Sequence, residues 1–132
     1  MKPSIRPYDA SGEFYIAEQC HVIELSNSDD DPTLSIARVR VTSGTTTRWH
    51  RLTATAERYV ILEGQGRMEV GELPPQDVGP GDTVLIPPDG RQRIANLGQG
   101  DLVFLAICTP RFRPEAYEDL DPEPLPCSFE DA

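Results

Sequence analysis

Two stretches of this 132-residue chain concentrate side chains that can do chemistry: GTTTRWHRLTATAERYVILEG at 44–64 and GDTVLIPPDGRQRIAN at 81–96. If TTRWHRL is a strand, alternate residues share a face, and Arg48, His50 and Leu52 point the same way. Across a turn, Glu57, Tyr59 and Ile61 share one face of the next strand. An imidazole and a carboxylate facing each other inside a barrel make half of a metal site. The same two groups can act as an acid–base pair, or rest as a hydrogen-bonded network with no ligand at all. Burying both is costly unless they are paired, which favours a constellation that serves a ligand. Arg48, expected beside His50, either anchors an anionic substrate through its guanidinium fork or forms a salt bridge with Glu57 or another barrel acid. Tyr59 offers a hydrogen bond or a proton, or simply packs.

The elements that must position these residues are short. CHVIEL, LSIARVRV, RYVILEG, GRMEVGEL, DTVLIP, RQRIAN and LVFLAIC are rich in Val, Ile and Leu, and SNSDDDP, TSG, EGQG, PPQDVGPG, PPDG and NLGQG separate them. Many short strands bounded by Gly/Pro turns indicate an antiparallel sandwich or barrel. Residues 113–121, RPEAYEDLD, have room for one or two helical turns, and DPEPLPCSFEDA reads as an extended or disordered acidic tail. The expected division is an N-terminal segment over 1–19, an edge or exchanged strand; a barrel over 20–112; and a tail over 113–132.

Residues 44–64 resemble the first motif of the cupins, small jelly-roll β-barrels. Gly44, His50, Glu57 and Gly64 fall on that spacing, while Leu52 stands where the family has a second His. Residues 81–96 resemble the second motif through Gly81, Pro87 and Asn96; Asp89 replaces a Gly, and Gln92 stands in place of a metal-binding His. The resemblance covers about residues 20–110. It implies an all-β, single-domain jelly-roll barrel and a homodimer. It also implies a metal site from His50, Glu57 and Gln92, for a divalent transition metal such as Fe, Mn, Ni or Zn. A neutral Gln oxygen is a weak ligand, so affinity should fall relative to imidazole. His21 in CHVIEL either adds a second imidazole or is a hydrogen-bonded histidine near the barrel wall.

Composition narrows the function classes. The net charge of −10 argues against nucleic acid and anionic membrane surfaces. Much of that charge sits in 115–132, where Glu115, Glu118, Asp119, Asp121, Glu123, Glu130 and Asp131 occur without a Lys or Arg. No apolar run is long enough to span a bilayer and no secretory h-region is visible. Cys20, Cys108 and Cys127 form no CxxC pair, which favours free thiols in a reducing, cytoplasmic setting. Cys108 shares an apolar face with Leu102, Phe104 and Ala106, the pattern of an inert core thiol. Cys127 reads as an exposed thiol, and Arg38 and Arg40 as residues of an outer or interface surface, with the barrel mouth as the alternative.

The leading expectation is a cupin barrel that binds a small anionic or oxygenated molecule in its interior. Isomerase, lyase or dioxygenase chemistry is compatible, and acid–base isomerisation asks less of a thin ligand set. The other expectation is a non-catalytic ligand-binding or structural barrel that has lost its metal site.

Overall fold

A computed structural model of the chain describes residues 1–124. The expectation of an exposed Cys127 thiol lies outside the described residues. Eleven short strands alternate with turns: β1 (Phe14–Ile16), β2 (Cys20–Ser26), β3 (Ser35–Val41), β4 (His50–Leu52), β5 (Ala56–Glu63), β6 (Gly66–Val70), β7 (Gln76–Val78), β8 (Thr83–Ile86), β9 (Gln92–Asn96), β10 (Leu102–Thr109) and β11 (Tyr117–Asp119). They form a six-stranded sheet of order β1-β2-β3-β10-β5-β8 and a five-stranded sheet of order β11-β4-β9-β6-β7. All pairings are antiparallel. The result is the all-β, single-domain jelly-roll barrel that the sequence implies. No helix of the described residues is long and apolar enough to cross a membrane.

The barrel forms because its strands alternate. In β5, Glu57, Tyr59 and Ile61 are buried between more exposed neighbours, so this face turns inward. In β3 and β10 the inward sets are Ala37, Val39 and Val41, and Leu102, Phe104, Ala106 and Cys108. Fourteen buried side chains from both sheets make one core cluster that includes Ile61, Ile94, Leu102 and Phe104. At about 1.5–3 kcal/mol per fully buried large aliphatic or aromatic side chain, such a core holds the barrel without disulfides. Cys20 and Cys108 are accordingly free.

Tight turns set the strand ends. Gly64 closes the β5–β6 hairpin with φ +84°, and an added Cβ would lie 2.5 Å from the Asp101 carbonyl oxygen. No other residue fits that combination of left-handed backbone and close approach. Asp89, which stands where the resemblance has a Gly, keeps the backbone demand of that position with φ +66°. Asp tolerates this region better than most residues, and its Oδ1 accepts from the Ala54 N–H at 3.1 Å.

Three features depart from the sequence reading. TTRWHRL is a strand only over His50–Leu52; before it lies an isolated bridge of Thr46 with Ala95, and residues 47–49 are irregular. Strand β11 lies within 113–132, so the segment expected as a tail contributes to a sheet, whereas β1 within 1–19 is an edge strand as that reading has it. Residues 113–121 form one 3-10 turn at Pro114–Ala116, and the chain then pairs with β4 through Tyr117↔Leu52 and Asp119↔His50.

Candidate functional site

A cavity of ≈ 400 Å³ opens inside the barrel, within the size range of small-molecule sites. Its walls come from the β1–β2 turn, from β2, β3, β5 and β10, and from the chain around Phe112–Tyr117. Apolar side chains such as Ile16, Val22, Val39 and Ala106 make most of the surface. The polar part is distinctive. Glu18, Glu24 and Glu57 face the space together with Cys20, Cys108, Tyr59 and Tyr117, and no Lys or Arg of the described residues lines it.

Glu57 reaches the cavity because β5 turns every second residue inward. Its Oε1 accepts from the Gln92 amide at 2.9 Å, and its Oε2 accepts from the Cys108 thiol at 3.8 Å. Gln92 in turn accepts from the Tyr59 hydroxyl at 2.7 Å, and the Tyr59 ring packs 4.2 Å from that of Phe104. Both polar atoms of the Gln92 amide are therefore engaged, and both oxygens of Glu57 accept from neutral donors. Burial, and then the neighbouring charge of Glu18, push the Glu57 carboxyl from 4.5 up to about 7. His50 and the hydrogen bonds from Gln92 and Cys108 oppose that rise without cancelling it.

Glu18 is the residue that sequence reasoning missed. It sits in the three-residue turn between β1 and β2, followed by Gln19 at φ +74°. Its carbonyl accepts from the Arg48 N–H at 3.1 Å, which docks the turn on the strand leading to His50. Its carboxylate accepts from the Cys20 thiol at 3.8 Å and lies 3.5 Å from His50 Nε2. No motif marks a turn glutamate; the only local signal is a carboxylate between two apolar inward runs.

His50 lies behind Glu18, buried and outside the cavity wall. Its Nδ1 is 2.7 Å from the Arg48 carbonyl. A carbonyl only accepts, so Nδ1 carries a proton, and Nε2 is the atom turned toward Glu18. Tyr117 stacks on the imidazole at 5.3 Å and 24°. Tyr117 also lines the cavity, and its buried hydroxyl has no hydrogen-bond partner among the described residues.

The remaining candidates lie elsewhere. Arg48 does not project into the cavity, because residues 47–49 are not in strand conformation. Its guanidinium is buried against the tail: Nε donates to Asp119 Oδ2 at 2.8 Å, and the terminal nitrogens donate to the carbonyls of Glu123 and Pro124. The expected anion anchor is thus a clamp on the C-terminal segment. His21 points outward, since Cys20, Val22 and Glu24 are the cavity-lining residues of β2. Its ring is tilted against that of Tyr15 with centroids 4.7 Å apart and lies 3.9 Å from Glu13 Oε1, outside the barrel. Arg38 and Arg40 share that outer cluster, with Arg40 donating to both oxygens of Glu13.

A divalent transition metal held by His50, Glu57 and Gln92 would need their donor atoms free. Gln92 Oε1 accepts from Tyr59 and its amide nitrogen is turned to Glu57, so Gln92 presents no free donor beside His50, whose Nε2 faces the Glu18 carboxylate instead. A structural or catalytic metal usually takes at least three protein ligands. Among the described residues no group of three or more His, Cys, Asp and Glu side chains is placed to hold an ion. The residues present do not fit a resident transition metal.

The Cupin domain model matches residues 37–108. An uncharacterized protein of Methanocaldococcus jannaschii is 32% identical over 117 residues, covering 89% of this chain and 90% of that protein. Among solved structures, the nucleoside dehydratase Pac13 superposes with a TM-score of 0.72 at 16% identity, over 89% of this chain and 92% of its own. KdgF from Halomonas sp. superposes with a TM-score of 0.67 at 16% identity, over 76% of this chain and 88% of its own. At such identities the likeness to these two structures concerns the fold.

Proposed function

The chain belongs to the Cupin domain family, and on that premise we propose that its barrel binds a small molecule and transfers protons on it, in isomerase- or lyase-type chemistry. One observation carries the reading: the buried Glu57 carboxyl opens on the cavity and is tied only by neutral donors, with no cation paired to it. Such a carboxyl holds its proton more tightly than an exposed one and exchanges it near neutral pH, which suits a general acid or base. The value of about 7 agrees. Glu18 supplies a second cavity-facing carboxylate, in a different environment backed by His50. Two carboxyl groups set apart by their surroundings are the usual arrangement for one acid and one base.

The supporting residues follow from what they touch. Gln92 and Tyr59 form a relay that fixes the Glu57 carboxyl. His50 packs behind Glu18, its Nε2 3.5 Å from Glu18 Oε1 and its Nδ1–H held by the Arg48 carbonyl. A barrel serving only as a scaffold would have its interior filled by side chains; a cavity of ≈ 400 Å³ with a carboxylate floor favours a ligand. Pac13, similar in fold, is named a nucleoside dehydratase, which is in keeping with a lyase-type reading.

Deuterium incorporation from D2O into a panel of hydroxylated carbonyl compounds, followed by proton NMR, tests the reading. Exchange by the wild type should fall about 10²–10⁴-fold in Glu57→Gln, the range for loss of a general acid or base. Equal exchange in both proteins would refute a proton-transferring role for Glu57.

A further inference from the structure

The charge of the cavity selects its ligand. Three carboxylates, Glu18, Glu24 and Glu57, face a space that no Lys, Arg or His of the described residues lines. The one buried guanidinium near it, Arg48, is held by Asp119 and the tail carbonyls instead. Aromatic rings of Tyr59, Phe112 and Tyr117 complete the walls. Their faces attract cations, by about 0.5–2 kcal/mol when desolvated. A separate observation points the same way: the Tyr117 hydroxyl is buried at the wall with no partner among the described residues, and a buried polar atom without a partner costs stability. Its oxygen, the Glu18 carboxylate and the Glu57 carboxyl together offer acceptors in a cavity that has few donors to satisfy them.

We propose that the barrel takes a cationic amine: an ammonium group accepted by Glu18, Glu57 and the Tyr117 hydroxyl, carried on an apolar body that fills the wall formed by Val22, Val39 and Ala106. This rests on the reading of the cavity as a small-molecule site and names the class of molecule. It replaces the anionic ligand that an inward Arg48 implied. The charge of the same carboxylates is felt by their neighbours. Cys20, Tyr59, Cys108 and Tyr117 are all pushed toward their protonated forms, first by burial and then by the charge of Glu18 or Glu57. Burial disfavours charge of either sign, but the part of these shifts that comes from Glu18 and Glu57 opposes negative charge only, and it disfavours an anionic ligand in the same way.

Three probes of matched shape separate the charges: benzylamine, benzyl alcohol and benzoate, titrated into the full chain at about pH 7.5 and followed by amide chemical shifts. Charge-assisted hydrogen bonds to the ammonium should make benzylamine bind at least about tenfold more tightly than benzyl alcohol, with benzoate weakest. Tyr117→Phe keeps the ring and removes the hydroxyl, and should weaken benzylamine several-fold while leaving benzyl alcohol within about twofold. Glu18→Gln should abolish the preference for the amine, with an unchanged circular dichroism spectrum showing that the barrel persists. Benzoate binding as tightly as benzylamine, or benzyl alcohol binding equally well, would overturn the cationic class while leaving a small-molecule site in place. Failure of all three probes to shift cavity resonances at tens of millimolar would overturn the amine proposal and the small-molecule reading together.

Discussion

Glu57→Gln should make the stability of this protein respond to pH in a calculable way. In the folded chain burial and the charge of Glu18 push the Glu57 carboxyl to about 7, whereas its unperturbed value is 4.5. Below about pH 4.5 both states hold the proton, and Glu57 adds no pH dependence. Between 4.5 and 7 the folded state keeps a proton that the unfolded state has released, so stability falls as pH rises. Above about pH 7 both states are ionised and the loss is complete. A difference of this size amounts to about 3 kcal/mol, from 1.36 kcal/mol per pKa unit. Glutamine has nearly the same shape and no charge, so the variant escapes this loss. The stability of Glu57→Gln relative to wild type should therefore rise by about 3 kcal/mol between pH 4.5 and 8.5, equivalent to about 10 °C in Tm for a chain of this length. Urea unfolding at several pH values, read from the fluorescence of Trp49, the only tryptophan, measures it. Contributions from acids that do not interact with Glu57 are common to both proteins and cancel in the difference. Parallel curves for wild type and variant would refute the buried, unpaired carboxyl.

Two further outcomes follow from the same contacts. Arg48→Met removes the partner of Asp119 and of the Glu123 and Pro124 carbonyls, and should cost about 2–3 kcal/mol by denaturant unfolding. Hydrogen exchange should speed up first at Leu120, whose N–H donates to the Trp49 carbonyl at 2.8 Å, while β10 stays protected; unchanged stability would contradict the clamp. Tyr59→Phe leaves Gln92 Oε1 without its donor in a fully buried position and should cost about 1–3 kcal/mol. Adding Gln92→Leu to that variant should cost less than the two single changes sum to, because both partners of the bond are then gone; strict additivity would show the relay to be energetically idle.

What could be read from the sequence follows from how local each determinant is. Strand alternation is a property of the backbone, so the inward faces of 56–63 and 102–109 are legible from residue order alone. The same reasoning misleads at Arg48, because alternation requires a strand and residues 47–49 are held differently. The Thr47 N–H donates to the Ile94 carbonyl while the Ile94 N–H donates to the Thr47 hydroxyl, and the Arg48 N–H is taken by the Glu18 carbonyl of a distant turn. That contact is also what made Glu18 illegible, since its place in the site depends on where the β1–β2 turn docks and not on any spacing within it.

The acidic tail shows how one long-range contact can decide both architecture and chemistry. From composition, the acids of 115–132 look like excess charge on a solvated segment. In the folded chain Glu118 pairs with Arg51 and Asp119 with Arg48, and Asp121 accepts from the Trp49 N–H. These acids draw the tail onto the five-stranded sheet as β11 and place Tyr117 over His50 and at the cavity wall. By taking Arg48, the same tail removes the one cation that strand alternation would have put beside Glu57. Closing the barrel and leaving its interior acidic are thus a single event. A ligand that answers the interior must bring the positive charge that the tail took away.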